Sequence, residues 1–142
     1  MFIYKTKYNK DLYHVKLSSK HGCNVSVELK CVSHSCVFDV NGKKYIDISL
    51  ENSKFTEQIQ ILQTVMNKYF EKKESLSPNI RVKVPFRYGK FEIKRILDDL
   101  GYLITTEEIR PNMMLKIVLE ISSVFDYGVN WIIRDITVLK EL

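Results

Sequence analysis

The stretch VFDVNGKKYIDI, Val37 to Ile48, decides the fold class. Asn41-Gly42 lies between two strand-like runs, and this dipeptide supplies the positive φ angles of a type I′ turn. The spacing predicts a two-residue β-hairpin. Counting outward pairs Val40 with Lys43 and Phe38 with Tyr45, the second a favourable cross-strand aromatic pair. Toward the N-terminus the same character persists. FIYKTKY, LYHVKLSS and NVSVELKCV are short runs rich in Val, Tyr and Leu, separated by the turn signals NKD and KHG. Residues 1–50 therefore read as a β-meander closed by the hairpin.

Toward the C-terminus the period changes. Phe55, Ile59, Leu62, Val65, Met66, Tyr69 and Phe70 recur at spacings of three and four, which predicts one long amphipathic helix over about 54–72. Ser53 is the expected N-cap, and the apolar stripe reads as core packing. KKESLSPN then reads as a loop. From Ile80 to Leu142 strands return. Val82, Val84, Phe86 and Tyr88 fall on one face of a predicted strand, with Arg81, Lys83 and Arg87 on the other. Gly89-Lys90 is the place for a kink or bulge, after which FEIKRIL continues extended. Asp98 to Gly101 is a turn. Thr105 to Glu108 resembles a short capped helix start, stopped by Pro111-Asn112. MLKIVLEISSVF and VNWIIRDITVL are two long strands joined at Asp126-Tyr127-Gly128.

The 142 residues, 45% hydrophobic and 27% charged, suit one domain with a real core. No apolar run reaches the ~18 residues of a membrane span, and no signal peptide pattern opens the chain, so the expected location is intracellular, with no membrane partner. Three cysteines argue against a disulfide framework. Metal chemistry has one candidate, the cluster His21, Cys23, Cys31, His34 and Cys36. Thiolate and imidazole are zinc ligands, but Cys23 and Cys31 lie about 26 Å apart on a continuous strand at ~3.3 Å per residue. Buried, unpaired cysteines are the preferred reading, with no metal or cofactor. There is no Gly-rich phosphate loop, G-x-S-x-G elbow or H-E-x-x-H, and Asp98-Asp99 beside Gly101 reads as turn chemistry. No enzyme is expected.

Charge points elsewhere. RVKVPFRYGKFEIKR, Arg81 to Arg95, holds six basic residues and one acid, a balance of +5, equal to that of the whole chain. Phe86, Tyr88 and Phe91 are threaded through it. Basic side chains that track phosphates and aromatic faces that stack bases are the two devices of single-strand binding. Lys116, Arg134 and Lys140 can widen the charged surface, and Phe125, Tyr127 and Trp131 can add platforms. Strict alternation turns Phe86 and Tyr88 away from the cations, as in a half-buried strand. A kink at Gly89 brings Tyr88, Lys90 and Phe91 to one side. Pattern alone leaves both open.

GYLITTEEIRPNMMLKIVLEISSVFDYGVNWIIRDITVLKEL, residues 101–142, resembles the C-terminal part of the oligonucleotide/oligosaccharide-binding (OB) barrels in single-stranded-DNA-binding proteins of phages and large DNA viruses. The matching positions are Thr106 to Ile109, Pro111-Asn112, Leu115 to Ile121, Phe125 to Tyr127, and Gly128-Val129 with Trp131. The resemblance implies a mainly β, antiparallel OB-like barrel with one helix. It implies a role in viral DNA replication, a replication or host protein partner, and self-association. Together with the basic window, it assigns single-stranded nucleic acid as the ligand, bound largely without sequence preference. Lys83, Arg87, Lys90, Lys94 and Arg95 are the expected phosphate contacts; Tyr88, Phe91, Tyr127 and Trp131 are the expected stacking residues. The rival is a small interaction or inhibitor protein that binds an acidic protein partner through the same surface.

Overall fold

The structure is a computed structural model, and it describes residues 2–5, 13–16, 24–50, 53–71, 77, 79–93, 95–125 and 128–141. Along the chain run β1 (Phe2–Lys5), β2 (Tyr13–Lys16), β3 (Ser26–Ser33), β4 (Phe38–Val40) and β5 (Lys43–Ser49), then the helix α1 (Ser53–Phe70). After it come β6 (Asn79–Val84), β7 (Phe86–Arg87), β8 (Lys90–Phe91), β9 (Ile96–Leu97), a single 3₁₀ turn (Thr106–Glu108), β10 (Met113–Phe125) and β11 (Gly128–Glu141).

Local chemistry sets the β4–β5 hairpin. Asn41 and Gly42 adopt φ of 53° and 81°, and the ladder pairs Val40 with Lys43 and Phe38 with Tyr45, as the turn requires. The long β10–β11 ribbon has three register shifts, which bend and twist it enough to serve two neighbours. β10 also pairs with β3, β3 with β5, β5 with β6, and β6 with β11. These contacts close a mainly β, five-stranded barrel of β3, β5, β6, β11 and β10, with β1, β2 and β9 extending the sheet. Closure leaves the barrel strands no long free edge.

One expectation is corrected. The barrel is not wholly antiparallel, because β11 runs parallel to both β6 and β9. Parallel neighbours need a long crossover, and the chain between β6 and β11 provides one, with β10 inside it.

Alternation fills the interior. Ile46 and Ile48 of β5, Val82 and Val84 of β6, Leu115, Ile117 and Leu119 of β10, and Ile133 and Ile136 of β11 are buried. Helix α1 adds Leu62 and Met66 to this core, and the rings of Tyr69 and Phe70 meet Tyr13 of β2 edge-on at 5.3 and 4.9 Å. The helix occupies nearly the expected span, with Ser53 as its first residue. No helix among the described residues is long and apolar enough to cross a membrane.

Residues 81–97 depart further from the expected continuous strand. Pro85 follows the last residue of β6, and it has no N–H to offer a ladder. The chain then folds back at Tyr88-Gly89, both with positive φ, so β7 and β8 form a separate two-stranded hairpin. FEIKRIL is accordingly not one extended run. Asp98 makes the turn expected of it, its Oδ1 accepting from the backbone N–H groups of Leu100 and Tyr102. The short helix at Thr106–Glu108 is present, although Thr105 makes no side-chain cap. Ser33, fully buried, ties the following turn to β3: its Oγ donates to the Arg110 carbonyl at 2.6 Å and accepts from the Met113 N–H at 2.9 Å. The turns expected at NKD, KHG and Asp126-Tyr127, and most of the KKESLSPN loop, lie outside the described residues.

Candidate functional site

Because Ile46, Ile48, Val82 and Val84 point into the barrel, their neighbours Tyr45, Asp47, Arg81 and Lys83 must point out. The β5–β6 register sets Tyr45 opposite Lys83 and Asp47 opposite Arg81. β4 adds Phe38, whose ring lies 6.2 Å from that of Tyr45 at an interplanar angle of 34°. The Arg81 guanidinium sits 4.8 Å over the Phe38 ring. A fork holds it there: Nε donates to Asp47 Oδ1 at 2.9 Å and Nη2 to Oδ2 at 3.2 Å. Its hydrogen bond to Asp47 pushes the Arg81 pKa further up, so this cation is permanent as well as oriented.

β11 forms the opposite wall, with Ile132 beside Lys83. Between the walls lies a groove of about 180 Å³ lined by Lys43, Tyr45, Arg81, Lys83, Asn130 and Trp131. Beyond Arg81 it continues into a wider depression of about 460 Å³, bordered by His34, Asp47 and Asn79. Arg81 is common to both. Lys43 and Lys83 make no ion pair among the described residues, so two uncompensated ammonium groups flank the Tyr45 ring.

The expected site residues are dispersed. Lys83 lies in the groove. Trp131 also lines it, but only 7% of its surface is exposed and it belongs to the core, so it forms a wall rather than an open stacking platform. Arg87, Tyr88, Lys90 and Phe91 occupy the β7–β8 hairpin. Arg95, just before β9, lies 3.5 Å from the Asp135 carboxylate. Lys94 and Tyr127 lie outside the described residues, as do the side chains of Phe125 and Lys140. Lys116 and Arg134, expected to widen the charged surface, pair with Glu28 at 2.8 Å and Glu120 at 3.1 Å. Lys43, Tyr45 and Arg81 are the groove residues that sequence reasoning left out of the site, with Phe38 packed beside Tyr45 and Arg81. The signal was present, since the Asn41-Gly42 register already sets Phe38 beside Tyr45.

The hairpin has its own geometry. Phe86 pairs with Phe91, their rings 4.9 Å apart and edge-on, while Arg87 pairs with Lys90. Lys90 and Phe91 therefore take opposite faces, so of the two arrangements left open by the pattern the hairpin adopts the alternating one. Lys44 of β5 lies 5.0 Å over the Phe86 ring and 3.1 Å from Asp39, linking the hairpin to the strands of the groove. At the tip, Tyr88 has φ of 54° and is 92% exposed. A bulky residue in the left-handed region costs about 1–2 kcal/mol.

Among the described residues, the cysteine cluster forms no comparable site. Cys31 is buried, and burial pushes its thiol up to about 12. Cys36 is exposed, and His21 and Cys23 lie outside the described residues. Among the described residues no three His, Cys, Asp or Glu side chains are placed to hold a metal ion. No protein-family model, curated protein or solved structure matches the chain.

Proposed function

We propose that this chain is an OB-like barrel that binds single-stranded nucleic acid, with little sequence preference, across the outer face of β5 and β6. In order along the chain the barrel strands are β3, β5, β6, β10 and β11, and the first pairs with the second, the second with the third, the third with the fifth, the fifth with the fourth and the fourth with the first. That Greek-key circuit is the one OB barrels use, and their ligands lie over strands two and three, here β5 and β6. The observation that carries the reading is the pair of uncompensated lysines, Lys43 and Lys83, set beside Tyr45 on that face. Lysines there hold phosphates, Tyr45 offers a ring to a base, and neither contact reads a base edge. The chain acts as a binding module without cofactor or catalytic step.

The test is fluorescence anisotropy of a labelled strand of ~20 nucleotides, longer than the ~4–16 nucleotides of one OB site, titrated beside a duplex of equal length. Single strand should bind more tightly than duplex, and Lys43→Ala/Lys83→Ala should weaken it by about ten-fold or more at low salt. Equal affinity for both probes, or an unaffected double variant, would remove the reading.

One observation favours a different protein-binding reading, through an apolar surface and not the basic one. Leu100, Tyr102 and Leu103 are each more than two-thirds exposed on the Asp98 turn, an apolar cluster of the kind protein partners cover. That reading predicts indifference to oligonucleotides and capture of one defined protein that Leu100→Ser/Leu103→Ser releases.

A further inference from the structure

The β7–β8 hairpin pairs with no barrel strand, so barrel closure does not require it. Yet it carries backbone strain. A two-residue turn with positive φ at both positions takes Asn, Asp or Gly at its first position with little cost. Here Tyr88 holds that position, and its ring is 92% exposed. Packing cannot repay strain at a side chain that touches little of the protein, whereas contact with a ligand can.

The hairpin also follows directly on the groove strand β6. Only Val84 and Pro85 separate Lys83, at the groove, from the start of β7. Lys44, on groove strand β5, lies over the Phe86 ring. Arg87 and Lys90, both exposed, stand side by side on the face away from the Phe86–Phe91 pair. Arg87 lies 3.9 Å from the Glu92 carboxylate, whereas Lys90 makes no ion pair among the described residues, so the hairpin carries one unpaired cation beside its own open aromatic ring. From Lys83 to Tyr88 the chain can span at most ~17 Å at ~3.3 Å per residue, and Tyr88 is not among the residues that line the groove.

We infer that the protein holds its strand at two separate points, the β5–β6 groove and the β7–β8 hairpin, where Tyr88 stacks a base outside the groove. The inference rests on the single-strand reading and adds the class of ligand preferred: strands long enough to engage both points at once. Linked contacts of this kind raise affinity through effective concentration, and only for a ligand that spans them.

The experiment measures binding of single strands of about 6 and about 16 nucleotides, both within the range one OB barrel covers. The proteins are the native chain, Tyr88→Asn and Lys43→Ala/Lys83→Ala, each also melted thermally. Tyr88→Asn should lose about ten-fold in affinity for the long strand, the loss of one stacked base, with the short strand unaffected. Its melting temperature should equal or exceed the native value, because Asn accepts positive φ more readily than Tyr. The lysine double variant should weaken both strands. Unchanged long-strand affinity in Tyr88→Asn, or an equal loss on both lengths, overturns the two-point inference and leaves the groove standing. If the native protein binds neither strand, the single-strand reading falls and the hairpin inference falls with it.

Discussion

Cys31 lies on β3 with 3% of its surface exposed, pointing into the barrel. A thiol there behaves as a small hydrophobe, and ionising it means placing a thiolate among apolar neighbours. Burial accordingly raises its pKa from 9.0 to about 12. The consequence for stability has a definite sign. Below pH 9 the thiol is protonated in both folded and unfolded chains and contributes no pH dependence. Above it the unfolded chain loses the proton while the folded one retains it, so stability falls as pH rises from about 9 toward 12. One such group gives a slope of about 1.4 kcal/mol per pH unit within that window. Urea denaturation from pH 8 to 11 should show this decline, and Cys31→Val, which removes the ionisable group at similar volume, should flatten it. An identical decline in the variant would assign the alkaline loss to other groups. Cys36, exposed on the surface, should react with a thiol reagent under native conditions while Cys31 does not.

The elements differ in how much of their geometry is written locally. Gly42 at φ of 81° shows the legible case. A Cβ built there meets nothing within 4 Å, so Gly42→Ala is penalised by backbone conformation alone, roughly 1 kcal/mol. For a domain of this size that corresponds to a fall of about 2–4 °C in melting temperature. Because the same hairpin carries Lys43 and Tyr45 to the groove, oligonucleotide affinity should fall too; a lower melting point with full affinity would separate the turn from the site. The β4–β5 hairpin, helix α1 and the β10–β11 ribbon were readable for this reason: turn chemistry and hydrophobic period act within a few residues. The parallel pairing of β6 with β11 was not, because it joins Lys83 to Ile132 across the chain and leaves no mark on either segment. The turn at Tyr88-Gly89 was hidden differently. Tyr does not announce positive φ as Asn41 does, so Arg81 to Arg95 reads as one alternating strand until Pro85 is given its full weight.

At the scale of the whole molecule, charge that is clustered in sequence is divided in space. The window from Arg81 to Arg95 carries a balance of +5, but Arg81 is forked to Asp47, Arg87 lies 3.9 Å from Glu92, and Arg95 faces Asp135. The groove instead combines Lys83 from that window with Lys43 from the far hairpin. On the proposed reading, the strand is held where charge is uncompensated beside an aromatic ring, not where net charge is highest in the sequence. This distinction can be measured through salt. Each phosphate neutralised on a single strand contributes about −0.7 to the slope of log K against log salt concentration. Lys43→Ala/Lys83→Ala should therefore reduce the magnitude of the slope by about 1.4, two phosphates' worth. Lys116→Ala/Arg134→Ala removes the same formal charge, but from cations already paired with Glu28 and Glu120. It should leave the slope nearly unchanged. If the two double variants shift the slope equally, binding follows the total charge of the surface, and the β5–β6 groove loses its claim to be the place where the strand is held.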